Sequence, residues 1–130
     1  MPVNFSIVGD SRQNIKLETA RQKFIGGVRR QIAALNNPEY TYLGLDCTGC
    51  AVRRRPLPWV QIKKDETYIG FRYGARFMRR NGVPFGILLK SVSKKKIAEA
   101  LHQVIEMVRN GDFDSDLIEA RKNHEWQRAA

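Results

Sequence analysis

Asn81-Gly82 constrains this chain more tightly than any other pair of its residues. A two-residue type I′ turn needs positive φ at both positions, which asparagine and glycine tolerate and most residues do not. The turn lies between runs in which polar and apolar residues alternate, the period of half-buried strands. Strands are expected near 58–64, 67–73, 76–80 and 83–90, with Asp65-Glu66 and Asn81-Gly82 as turns and Gly74 as a turn or bulge. Val60 and Ile62 then share one face, as do Ile69, Phe71 and Tyr73, and Phe85, Ile87 and Leu89. These are the expected core residues of a twisted antiparallel sheet.

The same alternation turns Trp59, Lys63, Tyr68 and Arg72 outward together, and Arg76, Arg79 and Arg80 follow on one arm of the Asn81-Gly82 hairpin. Charge gathers in this region. From Arg53 to Lys96 there are thirteen lysines and arginines against Asp65 and Glu66, which leaves +11, close to the +10 of the whole chain. A concentration of this kind points to an anionic partner: nucleic acid, an acidic protein or an anionic membrane surface, the first two being expected here. Cations neutralise phosphates, and aromatic rings offer unpaired bases a stacking surface. The hairpin arm is also the type of basic two-stranded ribbon that enters a duplex groove.

The chain before this sheet reads as a short strand, a helix and a hairpin. Val3, Phe5 and Ile7 alternate, and Gly9-Asp10-Ser11 breaks the run. Leu17, Ala20, Phe24, Val28, Ile32 and Leu35 then step by three or four, one apolar stripe of a helix from about Ile15 to Leu35. Thr19 and Gln22 have capping-box spacing, and Asn37-Pro38 ends the helix. Gly26-Gly27 costs that helix on the order of 1 kcal/mol per residue, which close packing on the sheet explains. Arg21, Lys23, Arg29 and Arg30 on its other face are read as solubilising. Tyr40 to Cys47 reads as a strand with Thr41, Leu43 and Leu45 on one face, turning at Thr48-Gly49 into Cys50 to Arg54. Pro56 and Pro58 confine the next segment to a crossing or an edge.

Beyond the sheet, Ser91 or Ser93 caps a helix from about 94 to 109, buried through Ile97, Leu101, Val104, Ile105 and Val108. Lys94 and Lys95 at its start oppose the helix dipole, and lysines beside free N–H groups suit a phosphate. Asn110-Gly111 closes it, and Asp112 to Ser115 caps a last helix carrying Leu117, Ile118 and Trp126. The chain of 130 residues is read as one domain, with no leader, no membrane span and a cytoplasmic location.

Other chemistries have thinner support. Cys47-Thr48-Gly49-Cys50 supplies two thiols where structural zinc takes four ligands, and the histidines, His102 and His124, lie far along the chain. His102 and Glu106 read as a surface pair one turn apart. Asp46 followed by Gln61-x-Lys63 is similar to the acid and (Asp/Glu/Gln)-x-Lys arrangement of Mg²⁺-dependent nucleases, with Glu18 as a further acid. No serine, histidine and acid set suggests an activated nucleophile.

The segments Arg29 to Leu35, Pro58-Trp59, Arg72-Tyr73-Gly74 and Gly111-Asp112-Phe113-Asp114 resemble those of a family of small uncharacterised bacterial proteins. That resemblance implies no activity. A strand-rich segment followed by a helix is also similar, at the level of fold, to single-strand-binding β-sheet domains. The expectation is an α+β domain: a twisted antiparallel sheet with an N-terminal helix and C-terminal helices packed on one face. Its expected function is non-catalytic binding of nucleic acid, single strands favoured, through Trp59, Lys63, Tyr68, Arg72, Arg76, Arg79, Arg80, Lys94 and Lys95, with no cofactor and no metal. The alternatives are a small regulator or inhibitor docking an acidic protein, and a nuclease using Asp46, Gln61 and Lys63. An open sheet edge also suits a homodimer.

Overall fold

The computed structural model describes residues 8–129 of the backbone and the side chains of 16–123. The strand expected at Val3 to Ile7 lies outside the described residues. Helix α1 runs Val8–Asn36, so it continues through Gly9-Asp10-Ser11 instead of starting near Ile15. The Thr19–Gln22 capping box is therefore mid-helix, and Gln22 Nε2 donates to Glu18 Oε1 instead (2.9 Å). The helix stops where Asn37-Pro38 requires it to.

Strands β1 (Tyr42–Leu45) and β2 (Ala51–Arg54) form a hairpin of their own. Its alternation holds, but the face carrying Leu43 and Leu45 is solvent-exposed, at 65% and 68%. The tip is one residue longer than expected. Asp46 N–H donates to Cys50 O (2.9 Å), so Asp46, and not Cys47, stands opposite Cys50.

Strand β3 (Val60–Lys63) pairs with β4 (Glu66–Gly70), which pairs with β9 (Gly86–Leu89); all are antiparallel. The β3–β4 turn is Lys64-Asp65, with Lys64 at φ 53° and Lys63 opposite Glu66, one residue before the expected place. Between β4 and β9 lie two short hairpins: β5 (Arg72–Tyr73) with β6 (Arg76–Phe77), and β7 (Arg79–Arg80) with β8 (Val83–Pro84). Asn81 (φ 56°) and Gly82 (φ 77°) make the turn between β7 and β8, as their sequence dictates.

One continuous sheet is thus replaced by three arms that meet at a point. Phe71 N–H donates to Phe85 O (3.2 Å), Met78 N–H to Phe71 O (2.9 Å) and Phe85 N–H to Met78 O (3.4 Å). The main chain closes a triangle of hydrogen bonds through residues seven apart. The tight turns at Gly74-Ala75 and Asn81-Gly82 impose local pairing, and each strand changes partner at a corner of the triangle.

Phe71 and Met78 point from that junction into the core, where α1, α2 (Lys94–Arg109) and α3 (Asp114–Ala129) also meet. The stripe expected on α2 is buried in full. Ser93 stands at its N-cap, without a capping bond from its side chain. The protein is an α+β fold with its helices packed against the antiparallel strands. Among the described residues no helix is long and apolar enough to cross a membrane.

Candidate nucleic-acid interface

Trp59 is the largest departure from the expected outward face. It is 5% exposed and stacks on Phe24 of α1, with ring centroids 5.4 Å apart at 27°. Pro56 and Pro58 explain the change. Neither can donate to a ladder, so the crossing segment is tied to α1 by a side chain. Gln31, buried at that point, donates from Nε2 to Leu57 O (2.7 Å) and accepts the Trp59 N–H at Oε1 (3.1 Å). The indole is thereby turned inward over Gly27, and it presents no face to a base.

The residues that hold Trp59 also build a cleft. It measures about 480 Å³ and lies between α1, the β1–β2 hairpin, the crossing segment and the β5–β6 turn. Five cations line it: Lys23, Arg30, Arg54, Arg55 and Arg72. Among the described residues no carboxylate does. Aromatic rings and carbonyls hold several of these groups in place. Lys23 Nζ sits 4.5 Å from the Tyr73 ring centre, and the Arg30 guanidinium 4.2 Å from that of Tyr42. Arg54 Nη2 donates to Leu45 O (2.8 Å), and Arg72 Nη1 to Ala75 O (2.8 Å). Arg30, Arg54, Arg55 and Arg72 form no ion pair with a described residue. Like charges confined to one concave surface focus the field on it, and an anion relieves their repulsion.

Of the expected contacts, only Arg72 and the inward-turned Trp59 border this cleft. Lys63 and Tyr68 do share an outer face, in a smaller depression with Gln61, Glu66 and Leu88. Arg76 and Arg79 are exposed on the short hairpins, where Arg79 Nη1 reaches Gly82 O (3.4 Å). Arg80 is committed to the fold. Its guanidinium lies over Phe85 (4.3 Å) and grips Asp116 with two bonds of 3.1 and 2.6 Å. Lys94 and Lys95 are exposed on the first turn of α2, which contributes no wall to the cleft. The sequence reads Lys23 and Arg30 as solubilising cations of a helix face, and Arg54 and Arg55 as part of the central concentration of charge; nothing in it brings α1 beside the hairpin.

Arg72 links the cleft to an aromatic strip. Its guanidinium covers the Phe77 ring at 3.9 Å, the two residues being cross-strand partners. Phe77 is 40% exposed. Beside it, Gly70 leaves room for two rings at once: a Cβ there would meet Phe77 Cε1 at 3.1 Å and Tyr68 Cε1 at 3.3 Å.

The residues of the expected nuclease constellation belong to two separate hairpins. Gln61 and Lys63 lie on β3, whereas Asp46 is at the tip of the separate β1–β2 hairpin. There its Oδ1 accepts from Thr48 N–H (2.9 Å), Thr48 Oγ1 (2.6 Å) and Cys50 N–H (3.0 Å). Those bonds, the Thr48 hydroxyl first, hold its carboxyl below the ordinary aspartate range. Glu18 is engaged by Arg21 and Gln22. Cys47 and Cys50 are free, exposed thiols, and among the described residues no three His, Cys, Asp or Glu side chains cluster as a metal site. Glu106 pairs with Arg109 (2.9 Å), one turn from the exposed His102.

No protein-family model matches the chain, and neither a curated protein nor a solved structure is similar to it.

Proposed function

We propose that this protein binds nucleic acid without cutting it, and that the cleft of Lys23, Arg30, Arg54, Arg55 and Arg72 holds the phosphates. The observation that carries this reading is five cations around one concave surface, with no carboxylate lining it among the described residues. Arginine suits the role because its planar fork meets two phosphate oxygens at once. Lys63, Arg76 and Arg79, exposed on the strands, extend the positive field along which a strand runs. A cytoplasmic location goes with this reading and with two free thiols.

A regulator that docks an acidic protein is the second reading, favoured by the uncovered leucines Leu43 and Leu45 on a hairpin rich in arginine. Titration with a labelled oligonucleotide in the presence of Mg²⁺ separates these functions. The nucleic-acid reading expects saturable binding, an intact strand afterwards, and weakening in Arg54→Ala and Arg30→Ala but not in Leu43→Ser. Strand cleavage would instead favour a nuclease, and absence of binding at low salt would favour the protein partner.

A further inference from the structure

We infer that Tyr68, Phe77 and Arg72 form a platform on which an unpaired base stacks, so that the ligand class is single-stranded nucleic acid. This rests on the phosphate reading of the cleft and adds what it leaves open, the part of the nucleotide that is recognised beyond its charge.

Phe77 is the starting point. The other phenylalanines near the junction, Phe24, Phe71 and Phe113, are buried against one another, with ring centres 5.3–5.8 Å apart. Phe77 stays 40% exposed on the outer side of a two-residue strand. Gly70 makes that placement usable. With no side chain there, the edges of Phe77 and Tyr68 approach the same point from two strands, and any Cβ would push between them. Arg72 closes the strip at the other end, with its guanidinium parallel in role to a third ring. Glu66, which shares the Tyr68 depression, is neutralised by Lys90 at 2.6 Å and puts no free negative charge beside the strip.

The position of Arg72 supplies the connection. It lines the cationic cleft and covers Phe77, so a phosphate in the cleft and a ring on Phe77 border the same side chain. A nucleotide has this layout, charge at one end and a flat apolar face at the other. A duplex hides its base faces by stacking and shows only edges, whereas an unpaired base can lie flat on a protein ring.

The test uses the full-length protein and three labelled deoxyoligonucleotide probes of one length: a single strand, an abasic single strand of equal charge, and a duplex. The inference expects the base-bearing strand to bind about tenfold more tightly than the abasic one, the scale of one stacked base. The duplex, whose bases are stacked away, should bind equally well to the native protein and to Phe77→Leu. Phe77→Leu keeps apolar bulk but removes the π face, and should collapse the preference for bases towards unity; Tyr68→Leu should reduce it. Circular dichroism checks that both variants stay folded. Equal binding of base-bearing and abasic strands by the native protein overturns the platform while the phosphate reading stands. Duplex binding that weakens in Phe77→Leu as much as single-strand binding does also overturns it. Absence of binding to all three probes removes the phosphate reading and the platform with it.

Discussion

Gly26 and Gly27 are neighbours on α1 that face different surroundings. A Cβ on Gly26 would meet nothing within 4 Å, whereas one on Gly27 would meet Trp59 Cζ2 at 2.9 Å. Trp59 is held in that place, being stacked on Phe24 and set edge-on to Phe71. Gly26→Ala should therefore stabilise the protein by about 1 kcal/mol through helix propensity. Gly27→Ala should destabilise it by about 1–3 kcal/mol through overpacking. Urea denaturation of the two variants checks the opposite signs. Asp46 gives a second expectation at this scale. Its folded pKa is depressed, so the order it gives the hairpin tip is present above the ordinary aspartate pKa and is lost as pH falls through the lower folded value. The Thr48 and Cys50 amide signals should move together with a midpoint below the usual aspartate range. Sequence alone reached the close packing at Gly27 but placed Trp59 on the wrong side. Alternation assigns faces within a strand, and Trp59 precedes β3 (Val60–Lys63) in a segment fixed by Gln31.

The elements differ in how plainly the sequence declares them. Helix α2 is legible to the residue because its apolar stripe repeats without interruption and Asn110-Gly111 ends it, with Gly111 at φ 91°. The hairpin at Asn81-Gly82 is legible because only such a pair suits its turn. The partner changes at Phe71, Met78 and Phe85 are not, since each strand keeps its inside-outside pattern while its neighbour changes. Nor does local pattern reveal the links between distant elements. Arg21 binds Asp114 through two bonds (2.9 and 2.6 Å), tying α1 to α3, which raises the Arg21 pKa through the Asp114 carboxylate. Arg80 ties the β7–β8 hairpin to α3 through Asp116 in the same way. Because Arg80 is half exposed, the coupling between Arg80→Ala and Asp116→Ala in a double-mutant cycle should be about 1 kcal/mol. A coupling near zero would mean that Arg80 is available to a ligand after all.

At the scale of the whole molecule, the +10 charge raises the expectation of an anionic partner but does not say which surface would meet it. The sequence concentrates cations in the central third, and folding adds Lys23 and Arg30 from α1 to Arg54, Arg55 and Arg72 across one cleft. The helix cations read as solubilising thus become part of the candidate site once α1 lies beside the hairpin. We propose that these five groups neutralise phosphates, a claim on which the salt dependence of single-strand binding reports. If each neutralises one phosphate, the plot of log K against log salt should fall with a slope of about −3 to −4. In Arg54→Ala/Arg55→Ala the slope should become shallower by roughly one to one and a half. No binding at low salt, or a slope that this double variant leaves unchanged, would contradict the claim.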